Sequence, residues 1–137
     1  MQIRGTLVLT GLHPQISGMR LYFPKHVVRK APLTGTDITV NFDQKDVVGK
    51  ITSTYWEGDT LKFIGDVIPG KEEYVKMMQH LRLSTAPTLV PEIVDKTQYK
   101  KIAKLDIQGV SLTSSPTPTY AGQCFDIIQK DAWGKEL

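Results

Sequence analysis

A chain of 137 residues with 40% hydrophobic and 23% charged content suits one soluble globular domain with a real core. The net charge of +3 comes from scattered lysines and arginines with no dense basic stripe, so nucleic acid is not an expected partner. One cysteine, Cys124, excludes an internal disulfide and a cysteine-based zinc cluster, and no apolar run approaches the ~20 residues that span a bilayer.

Glycine and proline divide the chain into short pieces. Residues 3–10 alternate as a strand should, and 12–17 read as a loop containing Pro14. Pro24 then opens a short helix over 25–30, a position its missing N–H suits. Residues 37–42 read as a strand because Ile38, Val40 and Phe42 fall on one face at period two. Residues 47–55 and 60–67 form a hairpin around the turn residues Glu57-Gly58-Asp59. Residues 70–81 are read as the main helix, with Tyr74, Met77, Met78 and Leu81 at three- and four-residue steps. Strands are expected over 83–88 and 103–113, the second interrupted by Gly109. An irregular Ser/Thr/Pro-rich loop follows over 114–121. The tail holds Phe125, Ile127, Ile128 and Trp133 among charges, and reads as a last strand or helix or as a segment that docks on a partner. The sum is an α+β, β-rich single domain with one main helix and one or two short ones.

Ordinary catalytic motifs are missing from the sequence. It has no Gly-x-Ser-x-Gly elbow, no phosphate-binding glycine loop and no paired-histidine metal motif. His13, His26 and His80 are isolated from one another and read as surface or helix-end residues. His80 lies four residues before Ser84, but the expected helix end between them separates their faces. Cys124 reads as a small, partly buried apolar residue rather than a reactive thiol.

The order of several short blocks resembles the prohead proteases of tailed phages. Arg20-Leu21-Tyr22-Phe23-Pro24 with Val27-Val28 is similar to that family's early "Arg-Ile-Tyr-Pro…Val-Leu" segment. Val40-Asn41-Phe42-Asp43, followed by Val48-Gly49-Lys50-Ile51, resembles its histidine-bearing block. Glu57-Gly58-Asp59-Thr60-Leu61 matches an "Glu-Gly-Asp-x-Leu" turn, and Pro69-Gly70-Lys71 resembles the start of its helix. Leu83-Ser84-Thr85 falls on the strand that carries the nucleophile. Gly109-Val110-Ser111-Leu112 through Pro116 resembles the family's closing strand. The likeness covers roughly residues 3–121 and implies an assemblin fold, a β-barrel-like sheet surrounded by helices. It divides the chain into a protease-like domain, 1–122, and a C-terminal segment, 123–137, that could dock on a partner through Phe125, Ile127, Ile128 and Trp133.

Carried over residue by residue, the resemblance makes Ser84 the nucleophile position. Phe42 falls where the family has its histidine, with Asn41 and Asp43 on either side. Gly109 and Ser111 occupy the candidate positions for the third member. The stretch that helps supply the oxyanion site reads Thr85-Ala86-Pro87, and Pro87 has no N–H to donate. A serine hydroxyl needs an adjacent base, and a phenyl ring cannot take a proton. Asp43 as base, or Lys50 in a Ser–Lys dyad within a desolvated pocket, are the chemically allowed substitutes.

What the resemblance implies is therefore a non-catalytic structural protein of a tailed-phage head, either a capsid decoration protein or a minor assembly factor. Its expected partners are the major capsid protein, other head proteins or further copies of itself. The expected location is the virion, or the host cytoplasm during assembly. No cofactor, metal or membrane is expected. Two alternatives stay open: an active head-maturation endopeptidase using Ser84, and a small β-rich binding module unrelated to that family.

Overall fold

The computed structural model describes residues 1–13, 19–114 and 123–136. It is a mostly-β domain in which an open mixed sheet carries two short helices. The first strand, β1 (Gln2–Leu9), pairs antiparallel with β6 (Thr60–Val67), and β6 in turn pairs with β5 (Asp43–Glu57). Strict alternation in β6 points Leu61, Phe63, Gly65 and Val67 inward. A bulge in β1 between Thr6 and Val8 breaks that alternation and buries Leu7 and Val8 together. The 5–6 hairpin and its Glu57-Gly58-Asp59 turn agree with the sequence expectation, with Gly58 at φ +59.

Two minor strands, β2 (Gly11–Leu12) and β3 (Leu21–Phe23), lead into α1 (Lys25–Lys30), which Pro24 caps at φ −63. The helix spans the expected residues. It buries Val28, and Lys25 reaches across to Asp59 at 2.9 Å. That cation holds the Asp59 carboxyl below its ordinary range. Next comes β4 (Asp37–Val40), joined to β5 by a two-residue turn at Asn41-Phe42.

The largest departure from expectation begins at residue 70. The second helix, α2, covers only Glu72–Lys76, and it buries Val75 while Met77 is 70% exposed. His80 and Leu81 belong instead to the strand β7 (His80–Val94). Leu81 repeats with Leu83 at period two, and its spacing from Tyr74 and Met77 spans a helix–strand junction. A helix of α2's length is too short to persist alone. Tertiary contacts hold it: Val75 in the core, and the Tyr74 hydroxyl donating to Asp46 at 2.8 Å.

β7 turns at Asp95-Lys96 into β8 (Thr97–Thr113), making one long hairpin in place of two isolated strands. Residues 89–102, unassigned from sequence, form its outer half. Pro87 and Pro91 mask the strand pattern there, although proline is acceptable on an edge strand such as β7. β8 is the hub of the sheet. It pairs with β7 along its length, and it lies parallel to β3 at Lys100–Lys101 and to β4 at Val110–Leu112.

The last strand, β9 (Phe125–Ile127), adds to the outer side of β1. The expected loop at 114–121 and the boundary at 122 fall largely outside the described residues. Seven of the strands, β1 and β3 to β8, share one buried cluster, built around Ile3, Phe63, Leu81, Ile102, Ile107 and Leu112 with others. Cys124 is exposed rather than partly buried, with its Sγ 3.9 Å from the Thr6 hydroxyl.

His13 also departs from expectation, because it is only 5% exposed. Its Nε2 bonds the Leu9 carbonyl, its ring lies 4.7 Å from that of Phe23, and its Nδ1 has no partner among the described residues. Burial holds its pKa below the ordinary value. Between the folded and unfolded pKa values the unfolded chain binds more protons, so stability rises with pH there. The contribution is therefore complete above about pH 6.5, the unfolded value, and is lost as pH falls below it. His13→Gln is expected to flatten the acid side of the pH–stability curve, read by urea denaturation from pH 7.5 to 5. An unchanged slope would show that another group carries the acid sensitivity.

Candidate functional site

Cross-strand register assembles the site. Ser84 on β7 lies opposite Gly109 on β8, Arg82 lies opposite Ser111, and β4 sets Thr39 beside Ser111. Opposed residues share a sheet face, so these positions look to one side. There Thr39, Ser84 and Gly109 line a cleft of about 840 Å³ together with Phe42, Lys50 and Gln108 among others. Gly109 leaves the floor open opposite Ser84, and its φ of +151 favours glycine. Gly35 approaches the floor so closely that a Cβ there would lie 1.6 Å from the Gln108 carbonyl oxygen.

The structure thus brings together three residues that stand far apart in sequence. Ser84 and Phe42 line the same cleft, and Ser111 lies buried behind Phe42. The Ser111 hydroxyl accepts the Phe42 N–H at 2.8 Å and the Thr39 hydroxyl at 3.1 Å. Its hydrogen bonding is directed at the turn. The Asn41 N–H donates to the Leu112 carbonyl at 3.0 Å, which ties the same turn to β8.

The Ser84 hydroxyl donates to Gln108 Oε1 at 3.2 Å. A neutral amide oxygen can orient a hydroxyl but does not act as a general base near neutral pH. Phe42 turns its ring toward the Arg82 guanidinium, 5.6 Å from the ring centre, a cation–π contact. The Arg82 guanidinium offers donors and no acceptor, so it cannot serve as a base either. Of the two allowed substitutes, Lys50 lines the cleft but is exposed rather than desolvated. The Asp43 carboxylate accepts the Lys45 N–H at 2.9 Å within its own turn. Beyond Ser84, β7 runs straight through Thr85-Ala86-Pro87, so no turn there presents N–H groups to an oxyanion. His80 shares the strand with Ser84 but sits four residues away, about 13 Å along an extended chain. Among the described residues, no group of His, Cys, Asp and Glu could hold a metal ion, and no helix is long and apolar enough to cross a membrane.

Gln108 and Arg82 are the site residues that sequence reasoning missed. Arg82 was legible in principle, because a strand read from His80 onward puts it on the Ser84 face. Gln108 was not, since it enters through the register shift between Ser84 and Thr85.

Two turns carry backbone strain: Asn41 and Phe42 at the site have φ +52 and +57, and Asp95 and Lys96 at the tip of the β7–β8 hairpin have φ +49 and +65. Positive φ at both central residues marks two-residue hairpin turns whose second position favours glycine. The left-handed conformation costs a side-chain-bearing residue about 1–2 kcal/mol, against roughly 0.5–1 kcal/mol of extra backbone entropy for glycine. Lys96→Gly is therefore expected to stabilise the fold by about 0.5–1 kcal/mol. Phe42→Gly should gain about 0.5–1 kcal/mol less, because it also surrenders the Arg82 contact. Equal gains in chemical denaturation would show that the ring–guanidinium contact contributes nothing.

At the C-terminal tail the structure separates the four candidate interface residues. Phe125 and Ile127 pack against the chain's own core, and the half-buried Ile128 donates its N–H to the Gln2 carbonyl at 2.9 Å. Trp133 is 88% exposed. It sits in a tight turn in which the Asp131 carboxylate accepts the N–H groups of Trp133 and Lys135, both at 2.9 Å. Arg4 clamps Glu136 with two bonds of 2.7 and 3.0 Å, and Lys130 bonds the Gln2 side chain at 2.8 Å.

Compared with protein-family models, curated proteins and solved structures, the chain matches none of them.

Proposed function

We propose that the protein is a non-catalytic structural component of a tailed-phage head, built on a frame of the prohead-protease, assemblin-like type. The observation that carries the non-catalytic part is the environment of Ser84. Its hydroxyl faces an amide, and the position expected for a base holds a phenyl ring. Loss of a general base typically removes about a hundredfold to ten-thousandfold in rate, and coupled sites lose more. The phage-head part rests on the ordered sequence blocks. The meeting of the positions of Ser84, Phe42 and Ser111 in one place supports it, as those blocks require. A domain that has lost its chemistry keeps whatever binding surfaces it presents.

The test has two arms. Purified protein is incubated with a fluorophosphonate probe and with the precursor of a tailed-phage capsid protein, and the particles that precursor assembles are assayed for the chain by quantitative mass spectrometry. The expected result is no adduct on Ser84, no cleavage, and recovery of the chain with particles. A Ser84 adduct or specific cleavage would favour an active endopeptidase with Lys50 in the same cleft. Absence from particles would overturn the head assignment.

A further inference from the structure

Charge that is dispersed along the chain is gathered in the fold. Residues 20–30 and 96–104 hold eight of the 17 basic side chains and none of the 14 acidic ones. The rest of the chain, with nine basic against fourteen acidic residues, has a formal net charge of −5. The two segments are far apart in sequence but meet because β3 runs parallel to β8 and α1 packs beside it. Leu21 lies opposite Lys100 and Tyr22 opposite Lys101, and the Lys100 N–H donates to the Arg20 carbonyl at 2.9 Å. Further along, His26 and Lys30 of α1 and Lys104 of β8 bound one pocket of about 310 Å³.

Acids from other parts of the chain offset only some of this charge. Asp59 pairs with Lys25 at 2.9 Å and Glu92 with Lys101 at 3.8 Å. Asp95 precedes Lys96 at the hairpin tip, and Asp106 accepts the Thr34 hydroxyl at 2.9 Å. Arg20, Arg29, Lys30, Lys96, Lys100 and Lys104 are exposed and make no ion pair among the described residues. Lys100 and Lys104 share one face of β8 about 13 Å apart, and Lys104 shares its pocket with Lys30. Like charges held together in this way repel one another and draw anions.

We infer that this face binds the phosphate backbone of duplex nucleic acid without reading its sequence. A duplex carries one negative charge per ~1.7 Å of its axis, and neutralising those charges releases counterions. Lysine, which supplies four of the six unpaired cations, binds phosphate as a point charge. No large apolar side chain in either segment is exposed. The face therefore lacks the apolar anchors of a protein interface and those that insert into a lipid surface. Single strands are held on aromatic stacking platforms, and here Tyr22 and Tyr99 are partly buried. The Trp56 ring beside α1 is covered by Lys25 at 5.5 Å and Arg29 at 6.0 Å. α1 spans only six residues, about 9 Å, too short to fill a major groove as a recognition helix does. The inference does not depend on the phage-head reading.

The test is fluorescence anisotropy of a labelled duplex of about 25 base pairs and arbitrary sequence, titrated with the full chain between about 50 and 200 mM salt. The Kd should fall in the ~10⁻⁴–10⁻⁶ M range of non-specific contacts near physiological salt. With about five phosphates neutralised, log K should fall against log salt with a slope of about −4 to −5. Lys100→Gln combined with Lys104→Gln should weaken binding by about tenfold or more and make that slope shallower by about 2. Changing the same pair to arginine should restore both. Lys45→Gln combined with Lys135→Gln removes equal charge elsewhere and should alter affinity by less than about threefold. All four lysines are exposed, so the fold should survive each change. Absence of duplex binding, a salt-independent affinity, or equal weakening by the two glutamine pairs would each overturn the inference. So would tighter binding to a single-stranded oligonucleotide, to phosphatidylserine vesicles or to polyglutamate than to the duplex.

Discussion

Phe63→Ala is expected to lower the unfolding free energy by about 3–5 kcal/mol, the largest effect of any single change considered for this protein. Phe63 is wholly buried at the middle of β6, opposite Gly5 on β1 and Thr54 on β5. Its ring occupies the space a side chain at position 5 would need, since a Cβ on Gly5 would lie 2.4 Å from the Phe63 ring. Truncation leaves a void bounded by backbone, and the β1 and β5 ladders on either side resist its collapse. Natural domains are stable by only about 5–15 kcal/mol, so the variant should be marginal at room temperature. Phe63→Leu keeps much of the volume and should recover about half of the loss. Urea denaturation of both variants measures this, and a loss below about 1 kcal/mol for Phe63→Ala would mean that the core repacks freely.

The second large effect is expected at Ser111, where the resemblance suggested a catalytic partner. Ser111→Ala should destabilise the protein by about 1–3 kcal/mol, because it strips the Phe42 N–H of its acceptor. The lost bond is 2.8 Å long and ends on a fully buried hydroxyl. It also holds down a turn that already stores left-handed strain at Phe42. The Phe42 amide should lose its hydrogen-exchange protection, while amides near Phe63 stay protected to the limit of global stability. A variant of undiminished stability with an unprotected Phe42 amide in the wild type would remove Ser111 from the framework of the site.

Much of the local structure was legible in the residues. α1, the β5–β6 hairpin and β1 follow from Pro24, from Glu57-Gly58-Asp59 and from alternation, signals that act within a few residues. The main helix was misread because Leu81 fits two periods at once. It stands at helical spacing from Met77 and Met78 and at strand spacing from Leu83. β7 won because His80 and Leu81 found partners in Thr113 and Leu112, more than thirty residues onward along the chain. The outer half of the β7–β8 hairpin was hidden for a similar reason. Pro91 argues against a central strand, and nothing local says that β7 is an edge. Asp95-Lys96 is not one of the glycine-bearing pairs that announce a two-residue turn.

At the candidate site, the sequence by itself determined which chemical groups are present: a serine at position 84, a phenylalanine at 42, and one nearby imidazole in the chain, His80, four residues before the serine. Side-chain chemistry is intrinsic to a residue, so that much needs no structure. Only the tertiary structure decided what those groups face. Phe42 and Ser111 are 69 residues apart in sequence, yet share a hydrogen bond because β4 lies parallel to β8. Ser84 meets Gln108 because the β7–β8 register shifts there. The tertiary structure likewise turned Phe125 and Ile127 inward and left Trp133 exposed. Pairing between distant strands depends on the whole sheet satisfying its backbone hydrogen bonds and burying one core at once. No window of sequence contains that condition.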